Sequence, residues 1–132
     1  MGTILILIVE DDEKSRRLMR DVLTFQGYEI IETDRGEVAL ELIRTHHPDL
    51  VLLDILLPGI SGLDTIREIR SDAAIVQTPV IAVTASVMDN DRHKIRAAGF
   101  NAFEPKPLNL KAFLETIKNF TAAGKNINSH DK

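Results

Sequence analysis

Short apolar runs alternate along the chain with longer amphipathic stretches. The runs, rich in Ile, Val and Leu, cover residues 4–9, 29–32, 50–53, 80–83 and 102–103. Their length predicts strands, and the spacing between them leaves room for helices, so the pattern predicts repeated strand–helix units. The runs at 4–9, 50–53 and 80–83 are nearly continuously apolar. Strands covered by helices on both faces have no solvated side, so these three are expected at the centre of a parallel sheet. The other two are weaker, and Pro105 follows the last. A residue without an amide hydrogen suits an edge strand.

Leu18, Met19, Val22, Leu23 and Phe25 recur at helical spacing and predict a first helix closed by Gly27. Asp34 with Glu37, and Ser61 with Asp64, have the spacing of capping boxes at the starts of a second and a third helix. His46, His47 and Pro48 end the second, where the histidines complement the helix dipole and are not placed among metal ligands. A fourth helix is expected from near Asp89 or Asn90 to Gly99. A fifth carries Leu110, Phe113, Leu114, Ile117 and Phe120 as core-facing residues. Residues 121–132, TAAGKNINSHDK, lack apolar periodicity and are expected to form a disordered polar tail, which leaves 1–120 as one domain without an output domain.

Composition narrows the function classes. A length of 132 residues suits one core, and 44% hydrophobic with 27% charged residues is ordinary for a chain that folds by itself. A net charge of -4 argues against a nucleic-acid partner. The apolar run at 4–9 is far too short to span a membrane and no basic residue precedes it, so a cytoplasmic protein is expected. Cysteine is absent, which excludes disulfides and thiolate chemistry.

In a doubly wound α/β sheet, right-handed crossovers bring every strand-to-helix turn to the same edge. Glu10, Asp11, Asp12 and Glu13 follow the first strand, Asp54 ends the third, Thr84 ends the fourth and Lys106 lies beyond the fifth. Crowded carboxylates repel one another unless a cation neutralises them. Glu10, Asp11 and Asp54 offer hard oxygen ligands, and a backbone carbonyl and waters could complete the octahedron that Mg2+ prefers. Each residue alone has a plainer explanation: a turn-forming Asp, a strand-end hydroxyl, a solvated Lys, acidic groups at a helix N-terminus. Their joint placement at four successive turns favours a site.

The segments ILIVEDD, DLVLLDILLPGISGLD, VIAVTA and the final KPL together resemble the response-regulator receiver family over about residues 4–120. PVIAVTA and FLETIK look especially similar to stand-alone cell-division and polar-differentiation receivers. The resemblance implies a five-stranded parallel sheet of order 2-1-3-4-5. It implies a phosphorelay role in which Asp54 accepts a phosphoryl group from a phosphohistidine on a sensor histidine kinase or a histidine phosphotransfer protein. Glu10, Asp11, Asp54 and the Leu56 carbonyl would hold Mg2+, Thr84 would sense the phosphate, and Lys106 would bind it. Pro107 would follow a cis peptide bond. Nucleophilic attack by a carboxylate, with a metal and a lysine offsetting charge on the transferring oxygens, is consistent chemistry.

Where many receivers carry a switch Tyr, this chain has Phe103, which can change rotamer but offers no hydroxyl. Leu56 and Ser86 occupy positions that tune hydrolysis in the family, and neither is charged. A downstream protein is expected at the surface of helix four, strand five and helix five, where Arg92, His93, Lys94 and Lys111 lie. Three other readings are weaker. A haloacid-dehalogenase-type phosphatase needs a second Asp two residues after its nucleophile, where this chain has Leu56. A flavodoxin-like carrier needs a phosphate-cradling first turn, which Glu10 to Glu13 would repel. An interaction module that has lost phosphorylation would not retain the full set of residues. The expected role is therefore a signalling domain rather than a turnover enzyme.

Overall fold

Successive residues of a strand face opposite sides of its sheet, and here both sides are apolar. The computed structural model describes residues 3–85 and 89–126. Strands β1 (Leu5–Val9), β2 (Glu29–Thr33), β3 (Leu50–Leu53), β4 (Val80–Thr84) and β5 (Ala102–Pro105) alternate with helices α1 (Glu13–Phe25), α2 (Gly36–His46), α3 (Gly62–Ser71), α4 (Asp89–Ala98) and α5 (Leu110–Asn126). The strands form one parallel sheet of order β2-β1-β3-β4-β5, the expected doubly wound α/β arrangement. Ile6, Ile8, Leu50, Leu52, Ile81 and Val83 share one core cluster with Met19 and Leu23 of α1 and Phe113 and Ile117 of α5. Leu7, Val9, Val51, Leu53, Val80 and Ala82 share another with residues of α2, α3 and α4. The three continuously apolar runs are thus β1, β3 and β4, and β5 with Pro105 is an edge strand.

Local signals set most helix boundaries. Asp12 caps α1 by accepting from the Ser15 amide, and Ser61 caps α3 by accepting from the Asp64 amide. Gly27 follows α1 at φ 97° and Gly99 follows α4 at φ 116°, conformations that disfavour a side chain. At the base of the sheet the Arg70 guanidinium donates to the carbonyls of Gly99, Val76 and Thr78 and to Asn101 Oδ1, tying α3 to the loops that lead into β4 and β5.

Several expectations differ. Asp34 does not cap α2: Arg35 takes the cap position in an extended conformation, with no side-chain cap bond. In α1 the core-facing pair is Met19 and Leu23, four residues apart, whereas Leu18 is 42% and Phe25 87% exposed. The apolar stripe is wider than the arc the sheet covers. Leu110, at the first turn of α5, is also exposed. Helix α5 runs to Asn126, six residues past the boundary expected from periodicity. Buried Thr121 donates to the Ile117 carbonyl and lies 3.2 Å from the Tyr28 hydroxyl, anchoring that extension. The rest of the expected tail, 127–132, and Ser86 lie outside the described residues. Among the described residues no helix is long and apolar enough to cross a membrane.

Candidate phosphoacceptor site

Strand register brings the chemistry together. Val9 pairs with Leu53, so Glu10 and Asp54, each one residue further, sit side by side at the ends of adjacent strands. The Asp54 amide donates to the Val9 carbonyl at 3.0 Å and extends that ladder. On the other flank Leu53 pairs with Ala82, which leaves Thr84 one residue beyond the level of Asp54. Thr84 in turn pairs with Pro105, and its carbonyl accepts from the Lys106 amide at 3.0 Å. The Lys106–Pro107 peptide bond is cis.

Candidate ligand oxygens of Glu10, Asp11 and Asp54 lie within 4.8 Å of one another. Glu10 and Asp54 are buried and Asp11 is exposed, so the cluster is closed beneath and open to solvent above. Lys106 supplies the counter-charge: its Nζ is 2.6 Å from Glu10 Oε1 and 2.9 Å from Asp54 Oδ2. Asp54 Oδ1 accepts from the Leu56 amide at 3.0 Å, and Glu10 Oε2 accepts from the Asp12 amide at 3.0 Å. Glu10 Oε1 is buried, and the Lys106 ammonium is its close partner. Burial pushes the Glu10 carboxyl up to about 6, with Asp54 adding to the rise and Lys106 only partly opposing it. Burial disfavours the Lys106 ammonium, but its contacts with Glu10 and Asp54 outweigh that and hold its pKa above the ordinary value.

Three hard oxygen groups converging at one point, two of them buried, fit a divalent cation such as Mg2+ better than a softer metal. The other two acidic residues of the first turn do not join the set. Asp12 is the α1 cap, and Glu13 pairs with Arg17 one helical turn on. Thr84 is fully buried at the end of β4. Phe103 is half-buried, with the Arg92 guanidinium 4.9 Å from its ring centroid. Arg92, Arg96, Ile95, Phe100, Ala102 and Phe103 line a shallow cleft between α4 and β5.

Two contributors carry little signature in the sequence. Gly62 opens α3 directly beneath the site: its amide donates to the Ile55 carbonyl at 2.9 Å, and a Cβ there would run into the backbone of Asp54 and Ile55. Only the adjacent Ser61 cap hints that this glycine sits at a helix start. Arg16, outwardly a polar-face residue of α1, donates through Nη1 to the Glu10 carbonyl at 2.9 Å.

Comparison with known proteins agrees with this fold. The family model described as the response regulator receiver domain matches residues 6–118. The polar-differentiation response regulator DivK of Brucella ovis is 45% identical over 115 residues, covering 87% of this chain and 94% of the relative. A solved protein of Chloroflexus aurantiacus superposes with a TM-score of 0.87 at 30% identity, covering 92% of this chain and 99% of that one. The receiver domain of the sensor histidine kinase PA1611 from Pseudomonas aeruginosa, solved with a magnesium ion coordinated in its active-site cleft, superposes at 0.84 with 26% identity, covering 92% and 99%.

Proposed function

The chain belongs to the response regulator receiver domain family, and from that premise we propose that it is a phosphorelay receiver whose Asp54 takes a phosphoryl group from a phosphohistidine. The donor is a sensor histidine kinase or a histidine phosphotransfer protein in the cytoplasm. In the step, an Asp54 carboxylate oxygen attacks phosphorus, the phosphorus–nitrogen bond breaks, and its electron pair returns to the imidazole. Glu10, Asp11, Asp54 and the Leu56 carbonyl hold Mg2+, which when bound offsets negative charge on the transferring oxygens. Lys106, already reaching Asp54 Oδ2, supplies a second positive charge at the same place. Thr84 then senses the new group, and Phe103 shifts in response. The signal leaves as a change of surface at α4, β5 and α5, where a downstream protein binds; Arg92, His93, Lys94 and Lys111 supply polar and basic contacts there.

The observation that carries this reading is Lys106 Nζ at 2.9 Å from an Asp54 carboxylate that lies within 4.8 Å of two further acidic groups. A phosphatase with an aspartyl nucleophile would need an acid at position 56, where an exposed leucine stands. Acetyl phosphate with Mg2+ is expected to add the mass of one phosphoryl group, labile to hydroxylamine, and Asp54→Asn to abolish it. A labile phosphoryl group persisting in Asp54→Asn would refute the assignment.

A further inference from the structure

Glu10 is fixed from three directions. Its amide donates to the Thr33 carbonyl of β2 at 3.0 Å, its carboxylate accepts from the Asp12 amide, and its carbonyl accepts from Arg16 Nη1 at 2.9 Å. The peptide unit that starts at that carbonyl links Glu10 to Asp11, so its orientation sets where both carboxylates point. Arg16 is itself held. Its amide donates to the Asp12 carbonyl at 2.9 Å, and its Nε donates to Glu32 Oε1 at 3.1 Å. The other oxygen of Glu32 accepts from Arg20 Nη1 at 3.0 Å. Glu32 therefore joins two arginines one turn apart on α1 to the strand beside β1. The Arg16 and Glu32 side chains are only 23% and 27% exposed, so solvent screens this pair less than a surface pair.

We infer that Arg16, braced by Glu32, is a positioning residue for the cation site, orienting the Glu10–Asp11 peptide so that both carboxylates meet a divalent ion. The inference rests on the metal-binding reading above and adds to it a residue that touches no metal. Only a guanidinium fits the position, since Nε engages Glu32 while Nη1 engages the Glu10 carbonyl; a lysine has one nitrogen for both tasks. Loss of an outer partner that orients metal ligands lowers metal affinity by about tenfold or more.

Electrostatics gives the opposite sign. Removing a positive charge beside three carboxylates, with their geometry unchanged, would strengthen attraction for a cation. The direction of the affinity change therefore separates positioning from simple charge.

The test is calorimetric titration of Mg2+ into metal-free wild type, Asp11→Ala, Arg16→Met, Arg16→Lys, Glu32→Gln and the Arg16→Met/Glu32→Gln double variant, each checked for native circular dichroism. Arg16→Met is expected to weaken binding about tenfold, and Arg16→Lys to weaken it despite keeping the charge. The double variant should bind no more weakly than Arg16→Met alone. Without metal, the Asp12 amide should exchange its hydrogen faster in Arg16→Met, because the Glu10 carboxylate it bonds is less fixed. Unchanged or tighter binding in Arg16→Met would overturn the inference. Should that variant fail to fold, wild-type affinity in both Arg16→Lys and Glu32→Gln would overturn it equally. If wild type and Asp11→Ala bind Mg2+ alike, the metal-binding reading fails and this inference fails with it.

Discussion

Lys106 Nζ lies 2.9 Å from Asp54 Oδ2 although strand β4 separates the backbones of the two residues. The long lysine side chain crosses that strand at its C-terminal end and enters a space bounded by Asp54 and Glu10. One cation thus offsets two buried carboxylates. The two acidic residues come from adjacent strands through a ladder that is apolar up to its last pair.

Replacing this lysine should expose the cost of the acidic pair. Lys106→Met leaves Glu10 and Asp54 buried without their shared counter-ion, and a loss of about 1–3 kcal/mol is expected, below that for a fully buried pair because Lys106 keeps some contact with solvent. Mg2+ should recover part of the loss by binding the folded state. Chemical denaturation with and without Mg2+ measures both effects. Equal stability of variant and wild type in metal-free buffer would contradict the expectation.

Asp11 should behave differently, because it is exposed whereas Glu10 and Asp54 are buried. Asp11→Ala removes a negative charge from a crowded group, so the metal-free variant should be at least as stable as wild type. The rise in melting temperature expected of wild type with Mg2+ should largely vanish. Thermal melts across a Mg2+ series distinguish the two proteins, and parallel responses would place the metal elsewhere.

Gly62 and Gly27 offer a comparison between two reasons for a glycine. A methyl group at Gly62 would strike the backbone of Asp54 and Ile55, whereas at Gly27 it would meet nothing within 4 Å. Gly62→Ala should cost about 1–3 kcal/mol through overpacking and should also slow phosphorylation by displacing Asp54. Gly27→Ala should cost about 1–2 kcal/mol through its φ of 97° and leave phosphorylation unchanged. Denaturation curves together with phosphorylation rates from acetyl phosphate test the pair.

Much of this was legible in the sequence because it depends on short-range pattern. Continuous apolar runs marked β1, β3 and β4 as doubly covered strands, and the residues just past their ends fell at one edge of the sheet through parallel topology alone. What escaped depends on tertiary contact. Periodicity cannot tell that α1 covers the core only with Met19 and Leu23, leaving Phe25 exposed, because the width of the covered arc is set by the sheet. The extension of α5 past residue 120 follows from the anchoring of Thr121 near Tyr28, 93 positions away in the chain. The bond from Arg16 to the Glu10 carbonyl was equally invisible, since a polar residue on an amphipathic helix carries no mark of curling back to its own N-terminal turn.

The last expectation concerns how a signal would leave the site. Thr84 ends β4 and Phe103 lies on neighbouring β5, with Arg92 of α4 4.9 Å from its ring centroid. If phosphorylated Asp54 draws the Thr84 hydroxyl inward, the ring of Phe103 gains room and must part from Arg92 to use it. With the cation exposed, as Arg92 is, a guanidinium over an aromatic ring is worth about 0.5–1 kcal/mol, so the stack would hold the resting state by about two- to fivefold in population. A beryllofluoride complex, mimicking the phosphoryl group, should therefore shift amide resonances across α4, β5 and α5 more than those of α2. Thr84→Ala should lose this spread while Asp54 still accepts a phosphoryl group, if the proposed role of the hydroxyl is to relay the event rather than receive it. Arg92→Gln should move the metal-free, unphosphorylated resonances of β5 part of the way toward the activated positions. Shifts confined to the turns beside Asp54, alike in all three proteins, would mean that phosphorylation stays local and that the chain passes phosphoryl groups on without changing its own surface.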